Sequence, residues 1–334
     1  MNWLLIGAST VASQYVISAI RAQRGGEAIR LVSGSARRAK TYAAGHGIAS
    51  SGTDLAEALA DPEVEAVYIS STNEKHFDQA MAAIAAGKHV LCEKPLAMTL
   101  GDARTMVEAA EAAGVVFATN HHLRCSGSHR AMRALITAGR IGKVLSLRIF
   151  HAVHLPENLQ GWRINDASAG GGVIPDITVH DVDVTRFLLG EDPVSVVAQM
   201  VASGMGQGVE DSAMSVWAMP SGAMVMSHES FTHPYAGSGL EVHGTEGSIF
   251  ANGVMTQQPV GEIELVTADG REAVSYPDHD LYTQGLADFY AAVRGEGRPA
   301  ASGWDGVKSL AVAMAVREAA QTGVRQIVDY GDGS

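Results

Sequence analysis

Short apolar runs alternate with alanine-rich stretches of helical length across the first third of the chain, and no other feature narrows the possible folds as far. The runs Trp3 to Ile6, Ile29 to Ser33, Ala66 to Ser70, His89 to Cys92 and Val115 to Thr119 suit buried strands, and helices are expected near 10–23, 36–45, 54–60, 75–86 and 100–113. Parallel strands need a crossover of this length, so the expected fold class is α/β: a Rossmann-type, doubly wound parallel sheet with helices on both faces. From about residue 143 the pattern changes to longer β-rich runs, "VLSLRIFHAVH", "SAMSVWAM" and "AMVMSHESF", and "PSG" and "ADG" between such runs read as hairpin turns. This predicts a second, α+β domain with a large, mostly antiparallel open sheet that packs one face and leaves the other available.

Two domains suit 334 residues, and 46% hydrophobic content allows each a core of its own. A net charge of −12 argues against nucleic acid or an anionic membrane as partner, because both demand clustered Lys and Arg. A small molecule is the expected partner, and the chain a monomer or homo-oligomer. Cys92 and Cys125 match neither a metal spacing nor a disulfide framework, so a reducing, cytoplasmic setting is expected. The uncharged residues 1–20 do not read as a signal peptide, since Arg21 and Arg24 follow the apolar stretch and Ser9, Thr10, Ser13 and Gln14 interrupt it. No run approaches the length of a membrane span.

After the first strand comes "GASTVA", Gly7 to Ala12. A dinucleotide-binding turn needs Gly where the chain turns, a small residue where backbone meets diphosphate and another where helix meets strand. Gly7 and Ala12 fill the outer roles, while Ser9 replaces the middle glycine and, with Thr10, brings hydroxyl donors to a helix N-terminus that favours anions. The same residues also suit an ordinary turn with Ser9 or Thr10 as N-cap. The second strand ends in "LVSGSARR", with neutral Ser33 where NAD-specific sites usually place a carboxylate, then Gly34, Arg37 and Arg38. Two solvated arginines on a helix start are the alternative, but cations there oppose the helix dipole, which favours a bound anion, and the expected cofactor is NADPH/NADP.

In a doubly wound sheet, ligands bind beyond the carboxyl ends of the strands. Glu93-Lys94-Pro95 lies there after the strand His89 to Cys92, and a lysine held in extended backbone by the following proline can present its ammonium to a reacting carbonyl. A surface turn with a charged pair is the alternative. In "GGGVIPDITVHDVDVTRFLLG", Pro175 suits a first helical turn and Gly190 a C-terminal cap, so a helix is expected from about 175 to 189 with Asp176 and His180 on one face. His180 offers a proton near neutral pH, and Asp176 can orient it; a helix N-terminal acid and a satisfied histidine are the alternative. A metal pair lacks further ligands, so no metal is expected.

"GKHVLCEKPLAMTL", "TNHHLR", "GGGVIPDITVHD" and "EVHGTEGS" together resemble the glucose-fructose oxidoreductase and inositol dehydrogenase (Gfo/Idh/MocA) family across essentially the whole chain. The resemblance implies an NADP-dependent oxidoreductase of sugar metabolism, with NADPH-dependent reduction of the C2 ketone of 1,5-anhydro-D-fructose to 1,5-anhydro-D-mannitol as the reaction. Dehydrogenation of inositol or another sugar with NAD(P), and a non-catalytic nucleotide or sugar sensor, are the alternatives. It implies a dinucleotide-binding domain over 1–122 and a substrate-binding domain over 123–334, with packing of the C-terminal helix, near 304–321, back on the first domain as an option. By position, Ser9, Thr10, Val11, Ala12, Ser33, Gly34, Arg38, Ser71, Thr72, Asn73, Glu74, His76, Glu93, Lys94, Asn120, Trp162, Arg163 and Tyr282 resemble cofactor contacts. Lys94, Asp176 and His180 resemble the catalytic set, with Lys94 stabilising the carbonyl oxygen and His180 supplying a proton.

Overall fold

The computed structural model describes residues 1–331, and residues 332–334, counted with the second domain above, lie outside the described residues. The chain divides into two compact units, one of Met1–His121 with Tyr282–Val307 and the other of His122–Leu281 with the chain from Lys308 onward. A single cut near residue 122 therefore misses a return to the first unit. The helix Leu281–Val293 explains it. Phe289 and Tyr290 set their rings 5.2 and 6.2 Å from the fully buried Trp3, whose indole N–H donates to Tyr290 Oη at 3.0 Å.

The first unit is built on a six-stranded parallel sheet with β1 (Asn2–Ile6), β2 (Glu27–Val32), β3 (Ser50–Gly52), β4 (Ala66–Ile69), β5 (His89–Cys92) and β6 (Phe117–Thr119), in the order β3-β2-β1-β4-β5-β6. All four β4 residues are buried, as continuous apolar runs between two helical layers require. The order reverses between β1 and β4, so the carboxyl ends of these strands open a crevice. The helix after β1 passes through a π-helical turn, Ala12–Val16, before Ile17–Ala22. Ser35, Asp54 and Thr99 N-cap the helices Ala36–His46, Leu55–Leu59 and Leu100–Ala113, each accepting a backbone N–H. The strand Ser50–Gly52 escapes a reading of apolar runs because it holds none; as an edge strand it covers the polar margin of β2 at Arg30 to Val32.

The second unit carries a nine-stranded sheet of β7 (Val144–Ala152), β8 (Ser195–Val201), β9 (Ser212–Ala218), β10 (Met224–Ser230), β11 (Ser238–Gly244), β12 (Gly247–Asn252), β13 (Glu262–Thr267), β14 (Gly270–Ala273) and β15 (Gln326–Ile327). Only β7 and β10 pair in parallel; every other neighbour is antiparallel. "PSG" joins β9 to β10 and "ADG" joins β13 to β14, both as expected of hairpin turns. Strand alternation sorts the two faces: Val225, Ser227 and Glu229 of β10 are buried, while Met224 and Met226 are exposed. A π-helical turn, Ile174–Thr178, leads into the helix Val179–Leu189, capped at its end by left-handed Gly190. Among the described residues no helix is long and apolar enough to cross a membrane.

Candidate active site

In the first unit the turn after β1 depends on Gly7. Its φ is +111°, and a Cβ there would lie 2.8 Å from the Ser70 carbonyl at the end of β4. The cradle thus has room for backbone and little else. Ser9 Oγ lies 2.8 Å from Ser70 Oγ and accepts the Ala12 N–H at 3.2 Å, so the serine in place of the middle glycine braces the turn. Burial pushes the Tyr42 hydroxyl up to about 12, leaving it a neutral donor to Ser9 O at 2.8 Å. Arg38 reaches back over the same turn and donates to Ala8 O at 2.6 Å. The close backbone approach at Gly7, the hydroxyls of Ser9 and Thr10 and the helix N-terminus suit the diphosphate of a dinucleotide.

The groups after β4 and β5 are tied together. Ser71 Oγ donates to Gln79 at 2.6 Å and Thr72 Oγ1 to Glu74 at 2.7 Å, while Asn73 is buried. His76, at the start of the helix His76–Ala85, has no exposed surface, and burial lowers its pKa. A neutral ring has one N–H, and the shorter contact claims it: Nδ1 to Pro95 O at 2.9 Å, against 3.3 Å from Nε2 to Ser71 O. His76 thereby clamps the turn that carries Lys94, which is half-buried and followed by a cis peptide to Pro95. Glu93 accepts from Tyr68 Oη at 2.6 Å and from Asn120 Nδ2 at 2.5 Å, joining the ends of β4, β5 and β6. Burial, with Glu93 beside it, keeps the Tyr68 phenol well above its usual range and therefore a donor. Tyr282 stacks on Tyr15 at 4.7 Å and 8°.

In the second unit Trp162 and Arg163 occupy the short helix Gly161–Asn165. The Arg163 guanidinium lies over the Trp162 ring at 4.7 Å and 3.4 Å from the Asp176 carboxylate. Gly172, at φ +116°, is required where a Cβ would meet the Glu210 carboxylate at 2.4 Å, which is one reason for the glycine run ahead of Asp176. Arg124 and Asp183 form a buried two-point ion pair, 2.7 Å at each contact, that ties the helix of His180 to the segment His122–Cys125. His180 is buried with the His122 ring edge-on at 5.0 Å and the His151 ring at 6.4 Å. His122, His151, Asp181, Ser227 and Glu229 escaped the sequence reading. Polar residues at period two on the inward face of β10 were the available signal. No group of three or more His, Cys, Asp or Glu among the described residues is arranged to hold a metal ion.

Residues 1–121 match the model of the oxidoreductase family with an NAD-binding Rossmann fold, and residues 129–250 that of the GFO/IDH/MocA C-terminal domain. The 1,5-anhydro-D-fructose reductase of Ensifer adhaerens is 53% identical over 331 residues, covering 99% of both chains. This chain belongs to the GFO/IDH/MocA oxidoreductase family. A second relative, the myo-inositol 2-dehydrogenase of Thermotoga maritima, is 30% identical and covers 81% of this chain and 82% of its own. The crystal structure of aldose-aldose oxidoreductase from Caulobacter crescentus, complexed with glycerol, superposes with a TM-score of 0.89 at 25% identity, covering 98% of this chain and 99% of that one. The family places an NAD(P)-binding site on the first unit, whose strand-end crevice and Gly7 cradle fit that assignment.

Proposed function

We propose that this protein reduces the C2 ketone of 1,5-anhydro-D-fructose to 1,5-anhydro-D-mannitol, using NADPH. The observation that carries this reading is the 53% identity, over 99% of both chains, to a 1,5-anhydro-D-fructose reductase. Gly7 and Ser9 to Ala12 would hold the diphosphate, and Ser33, Gly34, Arg37 and Arg38 the phosphorylated ribose, where a carboxylate would repel it. Ser71 to Glu74, His76, Glu93, Asn120, Trp162, Arg163 and Tyr282 complete the proposed cofactor contacts. When bound, the nicotinamide supplies the hydride. The Lys94 ammonium stabilises the negative charge that grows on the substrate oxygen, in a turn that Glu93 and His76 keep rigid. His180 delivers the proton to that oxygen, with Asp176 orienting the imidazole.

The test is initial rates with a panel of ketoses, inositols and aldoses, each with NADPH and NADH. The proposal expects the highest kcat/KM with 1,5-anhydro-D-fructose and NADPH. Faster oxidation of an inositol would replace it with the activity named for the 30% identical relative.

A further inference from the structure

On the inward face of the second unit's sheet, polar side chains stand where apolar ones normally pack. His151 on β7 is the register partner of Glu229 on β10, and Ser227 precedes Glu229 by two residues on the same face. All three are buried, as is Asp181 from the helix Val179–Leu189. Asp181 Oδ1 is 2.7 Å from His151 Nδ1. Ser227 Oγ lies 3.1 Å from Asp181 Oδ2 and 2.7 Å from Glu229 Oε1.

Counting protons orders this cluster. Two carboxyl groups buried so close together cannot both ionise cheaply. Burial, and then the charge of Asp181, holds the Glu229 carboxyl well above the usual carboxylate range. Glu229 is therefore the neutral member and Asp181 the charged one. Ser227 has a single hydroxyl proton with an acid on either side. Protonated Glu229 donates to Ser227, Ser227 donates to Asp181, and the second Asp181 oxygen is left to accept from His151. That last bond requires the hydrogen on Nδ1 of His151, which fixes its tautomer.

With His151 as a neutral tautomer the cluster carries one net negative charge, and His151 links it to His180, whose ring lies 6.4 Å from that of His151. The remaining titratable groups nearby do not cancel it. His122, edge-on to His180, adds no negative charge; His129, held down to about 3 mainly by burial, stays neutral; Arg124 and Asp183 neutralise each other. Asp176 lies one helical turn before His180, and His228 on β10 feels Asp181 but is lowered first by its own burial.

We propose that Asp181, locked by Ser227 and protonated Glu229, is a positioning residue that holds His151 as its Nδ1–H tautomer and keeps a single buried charge beside His180, so that His180 stays loaded with the proton it delivers. This rests on His180 as the acid of the proposed reduction. Asp181→Asn removes the charge and lets an amide donate to His151 Nδ1, driving the hydrogen to Nε2. The expected result is an alkaline limb of kcat/KM moved down by about one pH unit, with NADPH affinity changed less than about twofold. Glu229→Gln, which keeps a neutral donor beside Ser227, should move that limb by much less. A ¹⁵N spectrum of histidine-labelled, unliganded protein, with His151 assigned from His151→Gln, reads the tautomer independently of activity.

An Nε2–H tautomer in the wild-type protein, or an unmoved alkaline limb in folded Asp181→Asn, would overturn the proposal. Should Asp181→Asn fail to fold, Ser227→Ala must shift the limb in the same direction by a smaller amount, and no shift there overturns it equally. Wild-type protein that reduces no sugar ketone would sink the functional reading instead, and the ¹⁵N spectrum would still decide where the Asp181 charge is directed.

Discussion

The polar groups of the two units are held in different ways. Around Gly7 and Lys94 they sit at strand ends, and several bind backbone carbonyls: Arg38 to Ala8, Tyr42 to Ser9, His76 to Pro95. Around Asp181 they are buried in mid-sheet and bind one another, side chain to side chain. A partner made of carbonyls tolerates exchange for a ligand's oxygen, because the donor is satisfied either way. A buried network tolerates no such exchange, since each lost bond strands a polar group away from water. Substitutions in the first region should therefore change ligand affinity, and in the second stability and pH response.

The largest expected effect lies in the second region. His129 has no exposed surface, and its pKa is lowered to about 3 by burial, with His151 contributing. The folded state keeps it neutral, whereas the unfolded chain protonates it near pH 6.5. Stability from this residue is thus complete above about pH 6.5 and is lost as pH falls towards 3, by up to about tenfold in the folding constant per pH unit. Urea midpoints measured from pH 7 to pH 4 should fall less steeply in His129→Gln than in the wild type. Identical slopes would mean that the histidine is not held neutral, and would blur the contrast between the two regions.

A smaller effect is expected in the first region. If Arg38 pairs with the 2′-phosphate as proposed, Arg38→Ala removes a charge-assisted contact worth about 1.5–3 kcal/mol, and NADPH binding should weaken roughly ten- to a hundredfold. NADH binding should change little, and the urea midpoint should stay within experimental error because Arg38 is exposed. Equal loss for both cofactors would show that Arg38 braces the Ala8 carbonyl rather than selecting a phosphate.

The same contrast governs what the sequence revealed. The doubly wound sheet, the turn after β1 and the strand-end position of Lys94 were legible because each has a local signal: alternating apolar and helical runs, Gly7 with small residues after it, and a proline following Lys94. The short edge strand Ser50–Gly52 was hidden by its composition, and the return of Tyr282–Val307 to the first unit by its dependence on Trp3, nearly the whole chain away. Asp181 lies 30 residues from His151 and 46 from Ser227. Periodicity places such residues on the inward face of their elements but does not say which of them meet.

The most direct test of the account compares turnover with cofactor affinity in Lys94→Met, which keeps most of the stem's packing and deletes the ammonium. If Lys94 acts on charge present only in the transition state, turnover of 1,5-anhydro-D-fructose should fall by about 10²- to 10³-fold, with a much smaller change in NADPH affinity measured by nucleotide fluorescence. Near-normal turnover would contradict the account and leave Glu93-Lys94-Pro95 as a structural turn.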